Sequence, residues 1–260
     1  MATYVCSDIH GSFDYFKQML KLIGFSSNDT MYIIGDILDK GPEPIKLVDF
    51  CMEYDNIILL MGNHELMFLK AYTEMNQEHL WFANGGLYTC KQYENLSSNL
   101  QDDIFNYIYE LPVIIRNLNI GEKNFYLSHA SYYPESLDSF KNIISMNELG
   151  IEKTSNLLWE RNYPFYELAF SIAYKEHKDS ILITGHTPGI KLAALRAVRN
   201  GNVINIQDNT KIKKASIFRS NHGHYINVDC GLAYRLAERK TFIPRLGCIR
   251  LDDMKEFYVK

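Results

Sequence analysis

The sequence predicts a single layered α/β domain, on three observations. Short runs of β-branched and aromatic residues alternate with polar turns and amphipathic stretches, which is the pattern of β-α-β units. The chain is 47% apolar and 22% charged, so it has enough apolar side chains to form a sizeable core. A layered α/β fold can hold 260 residues around one core, and we therefore predict one domain over residues 1–260.

The N-terminal part contains three such units. A strand at residues 4–6 leads into SDIHG and then into a helix that begins near Phe13 and is ended by Gly24. A strand at residues 31–34 leads into GDILDKGPEP and a helix over IKLVDFCME. A third strand, at residues 57–61, leads into GNHE and a helix from about Leu66. The order of strand, polar loop and helix therefore occurs three times.

The rest of the chain is less regular. Residues 72–118 contain Trp81, an NGG turn and a helix-like stretch ended by Pro112, and we predict a helical elaboration there. Strand-like runs return at residues 125–127, 181–183 and 225–228, each followed by a polar turn. The tail has two short runs around an Asp-Asp turn, which predicts a closing antiparallel hairpin.

Composition excludes several classes of protein. The net charge of −4 gives no field that would concentrate nucleic acid or anionic lipid, so we expect neither as a partner. No apolar run approaches the ~18 residues of a membrane span. The N-terminus lacks the features of a leader, and the five scattered cysteines form no CxxC, which favours reduced thiols. We expect a cytoplasmic protein.

The loops that follow the predicted strands carry small polar residues that can bind metals or transfer protons: Asp8, His10, Asp36, Asp39, Asn63, His64, His129 and His186. Such loops meet at the carboxyl ends of strands in an α/β sheet. Clustered carboxylates repel one another unless a cation compensates them, and a donor set of Asp, His and Asn favours manganese, iron or zinc. The sequence therefore predicts two divalent metal ions, of manganese, iron or zinc.

The spacing of these residues indicates which of them bind each metal ion. Asp8 and His10 flank Ile9, so both can point to one side and bind the first ion. Asp36 can bridge both ions, and the second site is completed by Asn63, His129 and His186. Paired ions clamp a phosphoryl oxygen and acidify a bridging water, which indicates hydrolysis of a phosphate ester.

Four further roles follow from position. His64 comes directly after Asn63, so its side chain should point away from the metals and can protonate the leaving group as a general acid. Asp39 lies three residues beyond Asp36 and can orient His64. Lys40 and Arg161 are the candidate cations for the non-bridging phosphate oxygens.

Seven motifs in order, SDIHG, GDILDKG, GNHE, LSHAS, WER, TGHTP and VDCG, resemble the signature of the phosphoprotein phosphatase family within the calcineurin-like metallophosphoesterases. WFANGG and SHASYYP resemble in particular its bacterial and lambda-phage branch. The resemblance implies a central β-sandwich of mixed sheets flanked by helices, in four αββα layers. It also implies a two-metal phosphatase, usually supported by manganese, that acts on phosphoserine and phosphothreonine, with the same residue roles as above.

Three features depart from that pattern. Ser7 stands where the family usually has glycine. Lys40 replaces the usual arginine, so a planar guanidinium that can bind phosphate through two hydrogen bonds is replaced by a single ammonium charge. The segment at about 190–224 is longer than in the lambda-type branch. It contains seven basic residues and one acidic residue, and we hypothesise that this basic insertion forms a rim for an acidic or polyphosphorylated substrate.

Three functions remain open from the sequence. The leading prediction is a metal-dependent phosphomonoesterase, specifically a serine/threonine protein phosphatase acting on a phosphorylated protein or peptide. The alternative is a symmetrical bis(5'-nucleosyl)-tetraphosphatase, which uses the same metals but needs room for two nucleosides. The third is an inactive scaffold, against which the complete set of polar residues argues.

Overall fold

The protein is represented by a computed structural model, which describes residues 1–133, 141–161, 180–199, 214–221, 223–236 and 242–260. The strands are β1 (Thr3–Cys6), β2 (Thr30–Ile34), β3 (Ile57–Leu60), β4 (Pro112–Ile120), β5 (Lys123–Ser128), β6 (Ile143–Ser145), β7 (Ser180–Thr184), β8 (Phe218–Arg219), β9 (Tyr225–Asn227), β10 (Leu246–Arg250) and β11 (Lys255–Val259). The helices are α1 (Phe13–Ile23), α2 (Pro44–Glu53), α3 (Asn63–Thr73), α4 (Glu78–Ala83), α5 (Leu87–Tyr93), α6 (Ser98–Tyr109), α7 (Met146–Leu149), α8 (Ile151–Trp159) and α9 (Gly189–Arg199), with a 3-10 helix at Leu232–Leu236.

The strands form two mixed sheets. The first has the order β11-β10-β1-β2-β3, in which β1, β2 and β3 run parallel. The second has the order β6-β4-β5-β7-β9-β8, in which β5, β7 and β9 run parallel. The predicted C-terminal hairpin is confirmed, because β10 and β11 pair antiparallel at the edge of the first sheet.

The two sheets pack face to face through alternate residues of their strands. Val5, Ile34 and Leu60 of the first sheet share one buried cluster with Phe125 and Ile183 of the second. The opposite-facing residues form a larger cluster with the apolar sides of the helices. The resulting sandwich of mixed sheets with flanking helices is the αββα arrangement that the resemblance implied.

Two predicted boundaries were wrong. Helices occupy the predicted elaboration only as far as Tyr109, because the residues from Pro112 onward form β4, an interior strand of the second sheet. Helix α3 begins at Asn63 and not near Leu66, since Gly62 and Glu65 form a capping arrangement that starts the helix earlier. Asn63 and His64 therefore lie in the first helical turn.

Two other expectations can be compared with the coordinates. All five cysteines are buried free thiols, as predicted. Within the described part of the chain, no helix has the length and apolar character needed to cross a membrane.

Candidate active site

The predicted site residues meet at one edge of the sandwich, where six parallel strands of the two sheets end. The loops after β1, β2 and β3 contribute residues from the first sheet, and the loops after β5, β7 and β9 contribute residues from the second. The cleft between them is lined by Asp8, His10, Asp36, Lys40, Asn63, His64, Asn84, Trp159, Arg161, His186, Pro188, Asp229, Ala233 and Tyr234. Residues up to 178 positions apart in the sequence therefore make direct hydrogen bonds here.

Close backbone approach makes this convergence possible. A Cβ on Gly35 would lie 2.6 Å from the Gly62 Cα and 2.7 Å from the His129 Nδ1 atom, and the φ of Gly35 is +87°. Only glycine fits there, because it has no Cβ and tolerates positive φ. Several non-glycine residues of the site also have φ between +47° and +67°: Asp8, His10, Asp36, Asp39, Lys40 and His186. Backbone strain of this kind is concentrated at functional sites.

One cluster of donor atoms surrounds His129. Its Nδ1 lies 2.9 Å from the carbonyl oxygen of Ile34, so its Nε2 faces the cleft. From Nε2 the distances are 3.0 Å to Asn63 Oδ1, 3.2 Å to His186 Nδ1 and 3.4 Å to Asp36 Oδ1. These are the residues predicted to form the second metal site.

A second cluster surrounds His10. Its Nδ1 lies 3.0 Å from the carbonyl oxygen of Leu38, and its Nε2 lies 3.6 Å from Asp36 Oδ2. Asp36 therefore directs one oxygen to each cluster, which is the geometry expected of a bridging ligand. Asp8 lines the same cleft, but its Oδ2 accepts the backbone N–H of His186 at 3.0 Å, so it ties the two sheets together here.

The donor set fits divalent metal ions. Asp36, His129 and His186 form one buried group whose ligand atoms lie within 4.8 Å of one another, and His10, Asp36 and His64 form another. His10 and His129 each have a backbone carbonyl at the far ring nitrogen, the usual second contact of a metal-binding histidine. Burial, with repulsion from Asp8, raises the pKa of Asp36 well above its ordinary value, and a bound cation would oppose that shift.

His64 and Asp39, which the sequence predicts to act as an acid pair, are in direct hydrogen-bond contact. His64 Nδ1 lies 2.6 Å from Asp39 Oδ2. The Asp39 carboxylate also accepts the Trp81 indole N–H at 2.9 Å and the Thr89 hydroxyl at 2.6 Å. Burial raises the pKa of Asp39 to about 7, while the hydrogen bonds from Thr89 and Trp81 act in the opposite direction. These two donors therefore hold in place the carboxylate that contacts His64 Nδ1.

Trp81→Phe is expected to lower kcat about tenfold for a substrate with a poor leaving group, because Asp39 loses a hydrogen bond and orients His64 less well. The KM should change little. Steady-state kinetics on an alkyl phosphate and on nitrophenyl phosphate separate the causes. An equal loss on both substrates would indicate a packing defect around Trp81 and would contradict the positioning role.

Glu65 connects two loops of the site and was assigned no role from the sequence. Its fully buried carboxylate accepts four backbone N–H groups, from Asp36 at 2.8 Å, Gly62 at 2.9 Å, Ile37 at 3.0 Å and Leu38 at 3.1 Å. Burial raises the pKa of Glu65, and these backbone donors oppose the shift. Glu65 thus fixes the Asp36 loop against the start of α3.

Lys40 and Arg161 both reach the cleft. Lys40 Nζ lies 3.3 Å from His10 Nε2, and Arg161 Nη1 lies 3.3 Å from Thr187 Oγ1. The NGG turn positions Lys40, because the Lys40 N–H donates to the carbonyl oxygen of Gly85 at 3.2 Å. Two cations therefore face the region between the predicted metal ligands and solvent, where phosphate oxygens would lie.

Sequence reasoning missed several residues that the structure brings to this site: Glu65, Trp81, Thr89, Asp229 and Tyr234. Glu65 occupies the capping-box position of GNHE, and Asp229 follows β9 as the predicted metal ligands follow their strands. Those two signals could have identified them. Trp81 begins the WFANGG motif, but Trp81 and Thr89 lie 42 and 50 residues from Asp39, and nothing in the sequence linked either of them to that carboxylate.

The basic insertion is only partly described. Lys191 lies on α9 and donates to Tyr234, a residue that lines the cleft. Arg219 instead donates to Glu256 at 2.7 Å. Lys214 is exposed. Lys211 and Lys213 lie outside the described residues, as do the side chains of Arg196 and Arg199. The basic rim stays a prediction.

Comparison with known proteins identifies the family of the chain. The calcineurin-like phosphoesterase family matches residues 1–212. The chain is 29% identical over 141 residues to the symmetrical bis(5'-nucleosyl)-tetraphosphatase of Psychromonas ingrahamii, a match that covers 52% of this chain and 46% of that protein. The aligned region thus spans about half the length of this curated relative.

Solved structures show the same fold at low sequence identity. A metallophosphoesterase from Sphaerobacter thermophilus superposes with a TM-score of 0.55 at 15% identity, covering 100% of this chain and 89% of that one. A protein serine/threonine phosphatase from Saccharomyces cerevisiae gives 0.58 at 13% identity, covering 96% and 72%. With its two mixed sheets and the family match over most of its length, the chain belongs to the calcineurin-like phosphoesterase family.

Proposed function

We propose that this metallophosphoesterase hydrolyses dinucleoside polyphosphates, with the symmetrical tetraphosphate as the substrate class. The observation that carries this proposal is the sequence similarity to symmetrical bis(5'-nucleosyl)-tetraphosphatases, which favours the alternative from the sequence over the leading prediction of a protein phosphatase. The cleft supports a phosphoryl substrate in general, because it combines carboxylates and imidazoles with the cations Lys40 and Arg161.

The chain's own residues have distinct parts in this proposal. Asp8, His10, Asp36, Asn63, His129 and His186 would hold two divalent ions, which we expect to be Mn²⁺. Such ions, when bound, supply Lewis acidity to the phosphoryl oxygens and to the attacking water. Lys40 and Arg161 bind the non-bridging oxygens and orient the phosphorus atom. His64 donates a proton from Nε2 to the leaving oxygen while Asp39 holds its Nδ1.

A side-by-side assay tests the substrate. Diadenosine tetraphosphate, a phosphoserine peptide and a phosphotyrosine peptide are offered with Mn²⁺, and kcat/KM is measured for each. We expect the tetraphosphate to be the best substrate and to be split into two molecules of ADP. A larger kcat/KM for a phosphopeptide would restore the leading sequence prediction. No turnover of any of the three substrates would support the third hypothesis, an inactive scaffold.

Asp36→Asn is expected to abolish binding of both metal ions, because each candidate site uses one oxygen of this carboxylate. The measurement is metal content by elemental analysis after incubation with Mn²⁺ and gel filtration. Asp14→Asn removes an exposed carboxylate that pairs with Lys17 and is the matched control, which should keep the metal content of the unmodified protein. A full metal complement in Asp36→Asn would show that Asp36 does not bridge.

A further inference from the structure

The cleft has an aromatic residue at its outer edge. Tyr234 lies in the 3-10 helix Leu232–Leu236, lines the cleft beside Asp229 and Pro188, and keeps 39% of its surface exposed. A large, exposed apolar ring beside a charged cleft is available to a ligand that enters the cleft.

Two neighbours fix the Tyr234 side chain. Lys191 Nζ on α9 donates to Tyr234 Oη at 2.7 Å and lies 4.6 Å from the ring centroid. The ring of Phe242 packs at 5.7 Å with an interplanar angle of 60°. The tyrosine ring is therefore held in place next to an ammonium group whose remaining N–H donors can bind phosphate or ribose oxygens.

The second aromatic residue of the cleft is arranged differently. Trp159 is half-buried and packs edge-on against the imidazole of His186, with 6.1 Å between ring centroids. Its contact is with a predicted metal ligand, on the phosphoryl side. Tyr234 lies on the solvent side, where the groups attached to the reacting phosphate would emerge.

We propose that Tyr234 is a stacking surface for a nucleobase of the substrate and that Lys191 binds the phosphate or ribose next to that base. This inference rests on the proposed function and assigns a binding position to one nucleoside. Stacking of a base on an aromatic side chain corresponds to about a 5- to 150-fold gain in affinity.

The test uses equilibrium binding, so it does not depend on turnover. Isothermal titration calorimetry compares AMP with ribose 5-phosphate on the full chain supplied with Mn²⁺. AMP should bind the unmodified protein about 5- to 150-fold more tightly. Tyr234→Ala should remove this advantage and leave the affinity for ribose 5-phosphate nearly unchanged. Tyr234→Phe should keep it, because the ring remains and only the partner of Lys191 is lost.

Tyr109→Ala is the matched control, since Tyr109 is equally exposed at 39% but lies on α6, outside the cleft lining. Its AMP advantage should be unchanged. The inference is overturned if AMP binds the unmodified protein no better than ribose 5-phosphate, or if Tyr234→Ala keeps the difference. A base preference without tetraphosphate hydrolysis would refute the proposed function alone and leave the Tyr234 site standing for another nucleotide.

Discussion

His64→Asn should lower kcat for an alkyl phosphate ester by about 10²–10⁴-fold, the share of catalysis that general acids commonly supply. Asn has a side chain of similar reach but cannot give up a proton. The effect should be smallest for nitrophenyl phosphate, whose leaving group departs without protonation. ADP is also a good leaving group, so the loss on a dinucleoside tetraphosphate should lie between these limits.

The comparison of leaving groups decides what His64 does. His64 Nε2 also lies 3.9 Å from Asp36 Oδ2, so a role in metal binding competes with the role as acid. An equal loss on all substrates, together with a lower metal content by elemental analysis, would assign His64 to the metal site. An unchanged metal content, with a loss of kcat that is larger for poorer leaving groups, supports the role of His64 as general acid.

Glu65→Gln should lower the free energy of unfolding by about 3 kcal/mol or more. The carboxylate accepts four buried backbone N–H groups, and hydrogen bonds to a charged group are each worth about 1.5–3 kcal/mol. In Gln one acceptor oxygen becomes an NH₂ group that faces N–H donors, so buried donors lose their partner. Urea unfolding followed by circular dichroism measures the change.

Glu148→Gln is the matched control. Glu148 has the same capping position on α7 and accepts the backbone N–H of Ser145 at 2.9 Å, but it is exposed to solvent. Water can replace its hydrogen bonds, so stability should change little. If the two variants unfold at similar urea concentrations, the buried network around Glu65 does not stabilise the fold as we infer.

Much of the fold followed from local patterns. The runs at residues 4–6, 31–34 and 57–61 are strands, and the polar residues after them converge because parallel strands end at one edge. The end of the helix before Pro112 was predicted, but the strand that begins there was missed, because proline at the start of a strand looks the same in sequence as proline after a helix.

The contacts between loops could not be predicted in the same way. The role of Glu65 depends on the close approach of Gly35 to Gly62, which is a tertiary contact between residues far apart in the sequence. The donation from Trp81 to Asp39 depends on how α4 packs against the β2 loop. The motifs also describe the reacting centre, which many phosphoesterases share, so they could not distinguish a protein substrate from a nucleotide.

Helices α4 and α5 supply two side chains that hydrogen-bond to Asp39, those of Trp81 and Thr89. These two helices therefore cannot be replaced freely in protein engineering. A chimera with a shorter linker in place of α4 and α5 would keep His64 and every predicted metal-binding residue, yet we expect it to orient His64 less well unless an indole and a hydroxyl were transplanted with it.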